Sequence, residues 1–303
     1  MENKIKTIGR AGQIKIYLGK LFRLFIFNDD WKALPVSALI AGLVAFTVGS
    51  GMFVTMEGTM KASLAISCVC IWNGLFNSAQ VICRERDIVK REHRSGMYIF
   101  SYVSAHAIYQ AAMCLAQSII ISAICVIADM NFPSIESTIC FCVTMFFLTY
   151  AADMMGLMIS CIARNTTIAM TIMPFVLIFE LLFSSSMFGV SQSMEWVSNI
   201  TVAKWGMNSM CAQADYNNLP TYTAWNQLKM FEDNEYVKEI VTYVEENDLT
   251  EEICIKAGEK NRLPQYECTM KNIADTWLIL LAFAIIHYIL SILALRKIDK
   301  DTR

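Results

Sequence analysis

The sequence predicts an all-α membrane protein with six transmembrane helices, an N-terminal amphipathic connecting helix, and a helical outer domain between helices five and six. Three observations lead there. The 303 residues are 55% apolar and only 17% charged, with a mean hydropathy of +0.43, too apolar for a soluble domain of this length. The apolar residues are bunched into stretches of about 20, the number a helix needs to cross a hydrocarbon core roughly 30 Å thick. Charge is sorted rather than mixed: basic residues flank some spans, and acidic ones gather in one long segment.

Residues 1–33 hold a tail and an amphipathic helix at 11–28. There Ile14, Leu18, Leu21, Phe22 and Phe25 fall at helical spacing, with Lys15, Lys20 and Arg23 elsewhere, which suits a helix lying on the cytoplasmic membrane surface. The start, MENKIKTIGR, lacks the short apolar core of a cleavable signal peptide. The first span covers 34–56, with Pro35 in the first turn, where its missing N–H costs least. A polar turn at 57–61 returns the chain. The second span, 62–83, ends in RERDIVKREHR, whose five Lys or Arg residues place that loop in the cytoplasm by the positive-inside rule. The third span covers 103–128, and the DMNFPSIES loop after it has no basic residue and belongs outside. The fourth span, 138–163, reaches Arg164 and Asn165 in a tight inner connection before the fifth, 167–188.

Segment 189–272 carries seven Lys or Arg against thirteen Asp or Glu, a net charge of −6, and is expected on the outer side. Its first part, around Trp196 and Trp205, reads as a re-entrant or interfacial element; 217–265 reads as soluble helices. The sixth span, 273–295, precedes RKIDKDTR, whose four basic residues put the C-terminus in the cytoplasm with the N-terminus. The expected location is the cell membrane, crossed several times.

Within the basic run 84–98, Glu85, Arg86, Arg91 and Glu92 recur at helical intervals, able to pair with one another while presenting charge to a partner. The same run equally serves as the topology-setting loop that any polytopic protein needs. On span two, Trp72, Asn73, Phe76 and Asn77 combine aromatic faces with amides, and an amide in lipid is costly unless it faces protein or water. On span five, Phe175, Phe179, Phe183 and Met187 repeat every four residues, a stripe suited to gripping an apolar substrate or to ordinary packing. Glu180 and Asp153 are candidates for proton or cation sites; the structural alternatives are a bond from Glu180 to the re-entrant helix and a pairing of Asp153 with a neighbouring helix. His106 and His287 are isolated and no HExxH or His-Cys cluster occurs, so no metal site is expected. There is no GxxxxGKS or GxxxxGKT phosphate loop, so any ATP chemistry belongs to a partner. Most of the eleven cysteines lie in apolar stretches as small buried hydrophobes; Cys211, Cys254 and Cys268 fall in the polar segment.

The run 85–98, ERDIVKREHRSGMY, resembles the loop ERxxFxRExxxGxY that follows the second span in permeases of the G subfamily of ABC transporters, the white and pleiotropic-drug-resistance group. It departs only at Val89, a smaller apolar residue in the phenylalanine position. Gly156-Leu157-Met158-Ile159-Ser160 resembles that group's GLxxS, Pro174 its proline early in span five, and 196–211 its re-entrant region. The chain is most similar to bacterial members in which the permease follows a phosphopeptide-binding and an ATPase domain.

The resemblance implies a permease that binds no cofactor itself, with ATP and Mg held by a partner ATPase subunit or domain. It also implies coupling through Glu85, Arg86, Arg91 and Glu92, a second permease protomer across a two-fold interface of spans two and five, and an amphipathic lipid, drug or peptide as outward cargo. Membrane lipid is the surrounding partner, and no nucleic acid is expected. Since that group often carries an outer-loop disulfide, Cys254 and Cys268 are the candidate pair, with reduced thiols the alternative. The competing reading is an ATP-independent sensor or channel whose acidic outer domain binds a ligand, which leaves the ERxxxxRE run without a role.

Overall fold

The computed structural model describes residues 8–27, 30–184, 195–260, 262–296 and 298, and among them there is helix but no strand. In chain order come α1 (Arg10–Phe27), α2 (Ala33–Val48), α3 (Met56–Ser78), α4 (Val81–Arg84), α5 (Arg86–Arg94), α6 (Ile99–Ile127) and α7 (Ile135–Ile162). They are followed by α8 (Thr166–Leu182), α9 (Glu195–Ile200), α10 (Val202–Gln213), α11 (Thr223–Lys229), α12 (Glu235–Glu246), α13 (Thr250–Glu259) and α14 (Met270–Leu295).

Five stretches are long and apolar enough to cross a membrane: Ala33–Gly51, Met56–Arg84, Ile99–Ile127, Ile135–Ile162 and Met270–Leu295. The fifth expected span corresponds to α8, whose 17 described residues are apolar but reach only about 25 Å at 1.5 Å per residue. Its expected extension to 188, Met187 included, lies outside the described residues.

Start signals are chemically explicit. Thr55, Ser134, Asn165 and Thr269 cap α3, α7, α8 and α14, each side chain accepting a backbone N–H of the first turn. The cap at Thr55 corrects the expected turn at 57–61: those residues form the first turn of α3, and the reversal lies at 49–55. Polarity alone does not make a loop of Glu57 to Lys61, and the chain reverses earlier, at Gly49 and Gly51.

Helix α7 is the axis of the bundle, packed between α3 and α14 and touching α6 and α10. Its Phe141, Met145, Leu148, Met154 and Leu157 are fully buried. By contrast α2 exposes Val36, Leu39, Leu43 and Phe46 at three- and four-residue intervals and buries Ser37, Ala41 and Ala45. An apolar stripe outward and small residues inward is the arrangement of a helix against lipid. Ser118 and Ser122 avoid the cost of an unpaired buried hydroxyl by bonding one turn back, to the carbonyls of Cys114 and Ser118.

Candidate functional site

The basic run folds as two short helices set off from α3, with the break at Glu85. Three of its four singled-out charges turn inward. Lys20 of α1 pairs with Glu85 at 3.1 Å, and Tyr17 of α1 donates to Glu92 at 3.0 Å. Burial first, and the Glu92 carboxylate second, hold the Tyr17 hydroxyl well above its ordinary pKa, so it keeps its proton. Arg86 donates to the carbonyls of Cys161 and Ala163 at 2.9 and 3.0 Å, meeting the orphan acceptors and negative dipole end of α7. Val89 is buried beneath the helix, while Arg84, Ile88 and Arg91 are exposed at four- and three-residue spacing. Glu85, Arg86 and Glu92 thus bond to α1 and α7. The run ends in a Schellman turn: Met97 N–H bonds Glu92 O, Gly96 N–H bonds His93 O, and Gly96 takes φ +103°, open to glycine.

The GLxxS residues explain how this segment is fixed. Ser160 Oγ accepts the N–H groups of Ile82 and Cys83 at 2.9 and 3.1 Å, fastening the start of α4 to α7. A Cβ on Gly156 would lie 2.8 Å from Leu75 O, and one on Gly74 would lie 2.3 Å from Thr149 O, so α3 and α7 meet backbone to backbone. This close approach has a signal in the sequence: Gly74 with Ser78, and Ala152 with Gly156, are small-xxx-small pairs.

Trp72, Asn73, Phe76 and Asn77 line a cavity of about 480 Å³ bounded by α1, α2, α3 and α6. The rings of Trp72 and Phe76 stack at 4.2 Å. The amides are satisfied within the chain: Asn73 donates to Ser37 of α2 at 2.7 Å, and Asn77 exchanges bonds with Gln117 of α6 at 2.8 and 3.2 Å. Gln110 and His106 of α6 complete the polar wall, and Lys32, Arg84 and Glu85 also line the cavity. Sequence reasoning missed Gln110 and Gln117, since an amide's partner across a helix interface is set by packing.

The span-five stripe lies elsewhere. Phe175 and Phe179 are exposed and Phe183 half-buried; none lines the cavity, so one chain does not unite the two aromatic sets. On the same helix Glu180 is buried and accepts the Ala203 N–H at 3.0 Å, placing a carboxylate at the N-terminus of α10. The structural alternative holds for Glu180. Asp153 sits fully buried on α7 with neither carboxylate oxygen partnered among the described residues.

A sequence profile of the ABC-2 type transporter matches residues 13–213, about two thirds of the chain. The chain belongs to the ABC-2 type transporter family. No curated protein matches it. It is an ABC transporter permease, a multi-pass membrane protein, and the match spans α1 to α10.

Beyond the match, the permease carries a small helical unit, α11 to α13, with its own core of Trp225, Val241, Val244 and Cys254. It is tied to α3 at the first turn, where the Glu57 carboxylate accepts the Thr221 hydroxyl at 2.6 Å and the Thr223 N–H at 2.9 Å. Cys254 and Cys268, the expected pair, are not bonded to one another in the structure: Cys254 is enclosed in that core and Cys268 is exposed before α14. Among the described residues of the permease, no group of three or more His, Cys, Asp or Glu is placed to hold a metal ion.

Proposed function

We propose that this permease is the membrane half of an ATP-driven exporter of the G-subfamily type, working with an ATPase that carries ATP and Mg and with a second permease protomer. Its cargo is an amphipathic lipid, drug or peptide moved outward, and its termini and the 84–98 run lie in the cytoplasm. One observation carries the reading: the α4–α5 segment is held to α1 and α7 by Glu85, Arg86, Glu92 and Ser160, while Arg84, Ile88 and Arg91 stay exposed. A rigidly backed, charged outer strip suits the transfer of force from a nucleotide-driven partner. The cavity beside Trp72 and Phe76, flanked by amides, suits a cargo with apolar and polar parts.

The test is reconstitution with the partner ATPase. The wild-type permease should retain the ATPase and couple hydrolysis to cargo movement. Arg91→Glu should leave folding intact, weaken retention about tenfold, on the order of the loss of one good interfacial ion pair, and uncouple hydrolysis from transport. Unchanged retention and coupling in that variant would remove the assignment.

A further inference from the structure

Helix α12 has two apolar faces, and the small helical unit uses only one. Val237, Val241 and Val244 turn inward, the last two buried with Trp225 and Cys254. Tyr236, Ile240 and Tyr243 form a second stripe at four- and three-residue spacing and are 78%, 53% and 63% exposed. Burial within the unit accounts for the first stripe and leaves the second in solvent. The turn entering α12 adds Met230 and Phe231, also exposed.

The charge on the flank of the stripe has one sign, since Lys238, the single basic residue of α12, falls on the opposite side of the helix. Glu235, Glu239 and Glu246 are one helical turn or less from the stripe residues, and all three are exposed. Three other carboxylates of the unit are matched: Glu245 pairs with Lys229, Glu252 with Lys256 and Glu259 with Arg262. Among the described residues, Glu235, Glu239 and Glu246 have no ion-pair partner. The whole segment 189–272 is net −6.

We propose that this face of α12 is a docking surface for a cationic amphipathic peptide, on the outer side that the proposed topology gives it. The peptide's apolar side covers Tyr236, Ile240 and Tyr243, and its Lys or Arg residues meet Glu235, Glu239 and Glu246. Charge chooses this occupant. A second copy would bring the same three carboxylates against themselves, and the headgroups of an anionic bilayer would be repelled for the same reason.

The full-length protein in phosphatidylcholine nanodiscs is titrated against a labelled synthetic helix of roughly 14 leucine and lysine residues, about four turns. The glutamate-for-lysine version and empty nanodiscs are the controls. The lysine peptide should bind at least about tenfold more tightly than either control, and binding should weaken with salt. The triple variants Tyr236→Ser/Ile240→Ser/Tyr243→Ser and Glu235→Gln/Glu239→Gln/Glu246→Gln should each weaken it more than about threefold, and the second should flatten the salt dependence. Circular dichroism checks that they fold, and Ile240→Ser alone, with the same expected direction, replaces a triple variant that does not. Binding no tighter than to the controls, or a loss of threefold or less in either variant, overturns the proposal. So does self-association of the protein that the serine variant abolishes. Arg91→Glu, which tests ATPase coupling, should leave this binding unchanged.

Discussion

At Gly74 the backbone of α3 runs so close to α7 that an added Cβ would sit 2.3 Å from Thr149 O and 2.8 Å from Asp153 N. Both neighbours are backbone atoms of a buried helix, so neither can swing aside as a side chain would. Gly74→Ala therefore has to push two helices apart, and the overpacking should cost about 1–3 kcal/mol and lower the melting temperature of the purified protein by several degrees. Ala152→Gly on the facing helix removes a Cβ that the new methyl would meet at 2.9 Å, but leaves the backbone clash. It should restore only a small part of the loss. A melting temperature within about a degree of wild type for Gly74→Ala would mean that α3 and α7 do not meet in this way. The amides one position before and three after this glycine show the other side of residue-scale reading. Asn73 and Asn77 were legible as polar groups needing protein or water, because the cost of an unpaired amide in lipid is a property of the residue. Their partners, Ser37 and Gln117, are 36 and 40 residues away, and nothing local specifies them.

Elements divide the same way. Five spans were readable because length and hydropathy are one-dimensional properties, and the side of the membrane given to the basic run is an expectation from charge alone. Where polarity and geometry disagree the reading slipped, as at Glu57, a polar residue that begins α3 and anchors α11 instead of sitting in a loop. Helix α10 is the converse case. Its 12 residues carry Lys204 and Asn208 yet are almost wholly buried, and its first N–H groups need an acceptor inside the protein. Glu180 supplies it from α8. Glu180→Ala removes both the acceptor and a negative charge at a helix N-terminus, which should destabilise the fold by about 1–2 kcal/mol. Glu180→Gln keeps an acceptor and should lose less than half of that. Thermal melts of the two variants separate the roles: equal losses would show that charge, rather than the bond to Ala203, holds α10.

For the whole molecule, the sorting of charge and the burial of thiols make one prediction about sidedness. Cys268 is exposed just before α14, in the segment expected outside, while Ser95 is exposed at the end of α5, in the run expected inside. A membrane-impermeant maleimide should therefore label Cys268 in intact cells, and a Ser95→Cys variant should gain a second label only after permeabilisation. Cys254 is 1% exposed in the core of the small helical unit and should react only once that unit is unfolded. Thiolate chemistry adds an internal check. Partial burial, with the Asp215 carboxylate nearby, lifts the Cys268 thiol above its ordinary pKa, so less thiolate is present at neutral pH than in a free cysteine. Below that raised pKa each pH unit upward multiplies the thiolate by about ten, and the labelling rate should climb with pH rather than level off near 9. Labelling at position 95 from the outside would reverse the membrane orientation on which the proposed docking of an ATPase against Arg84, Ile88 and Arg91 depends.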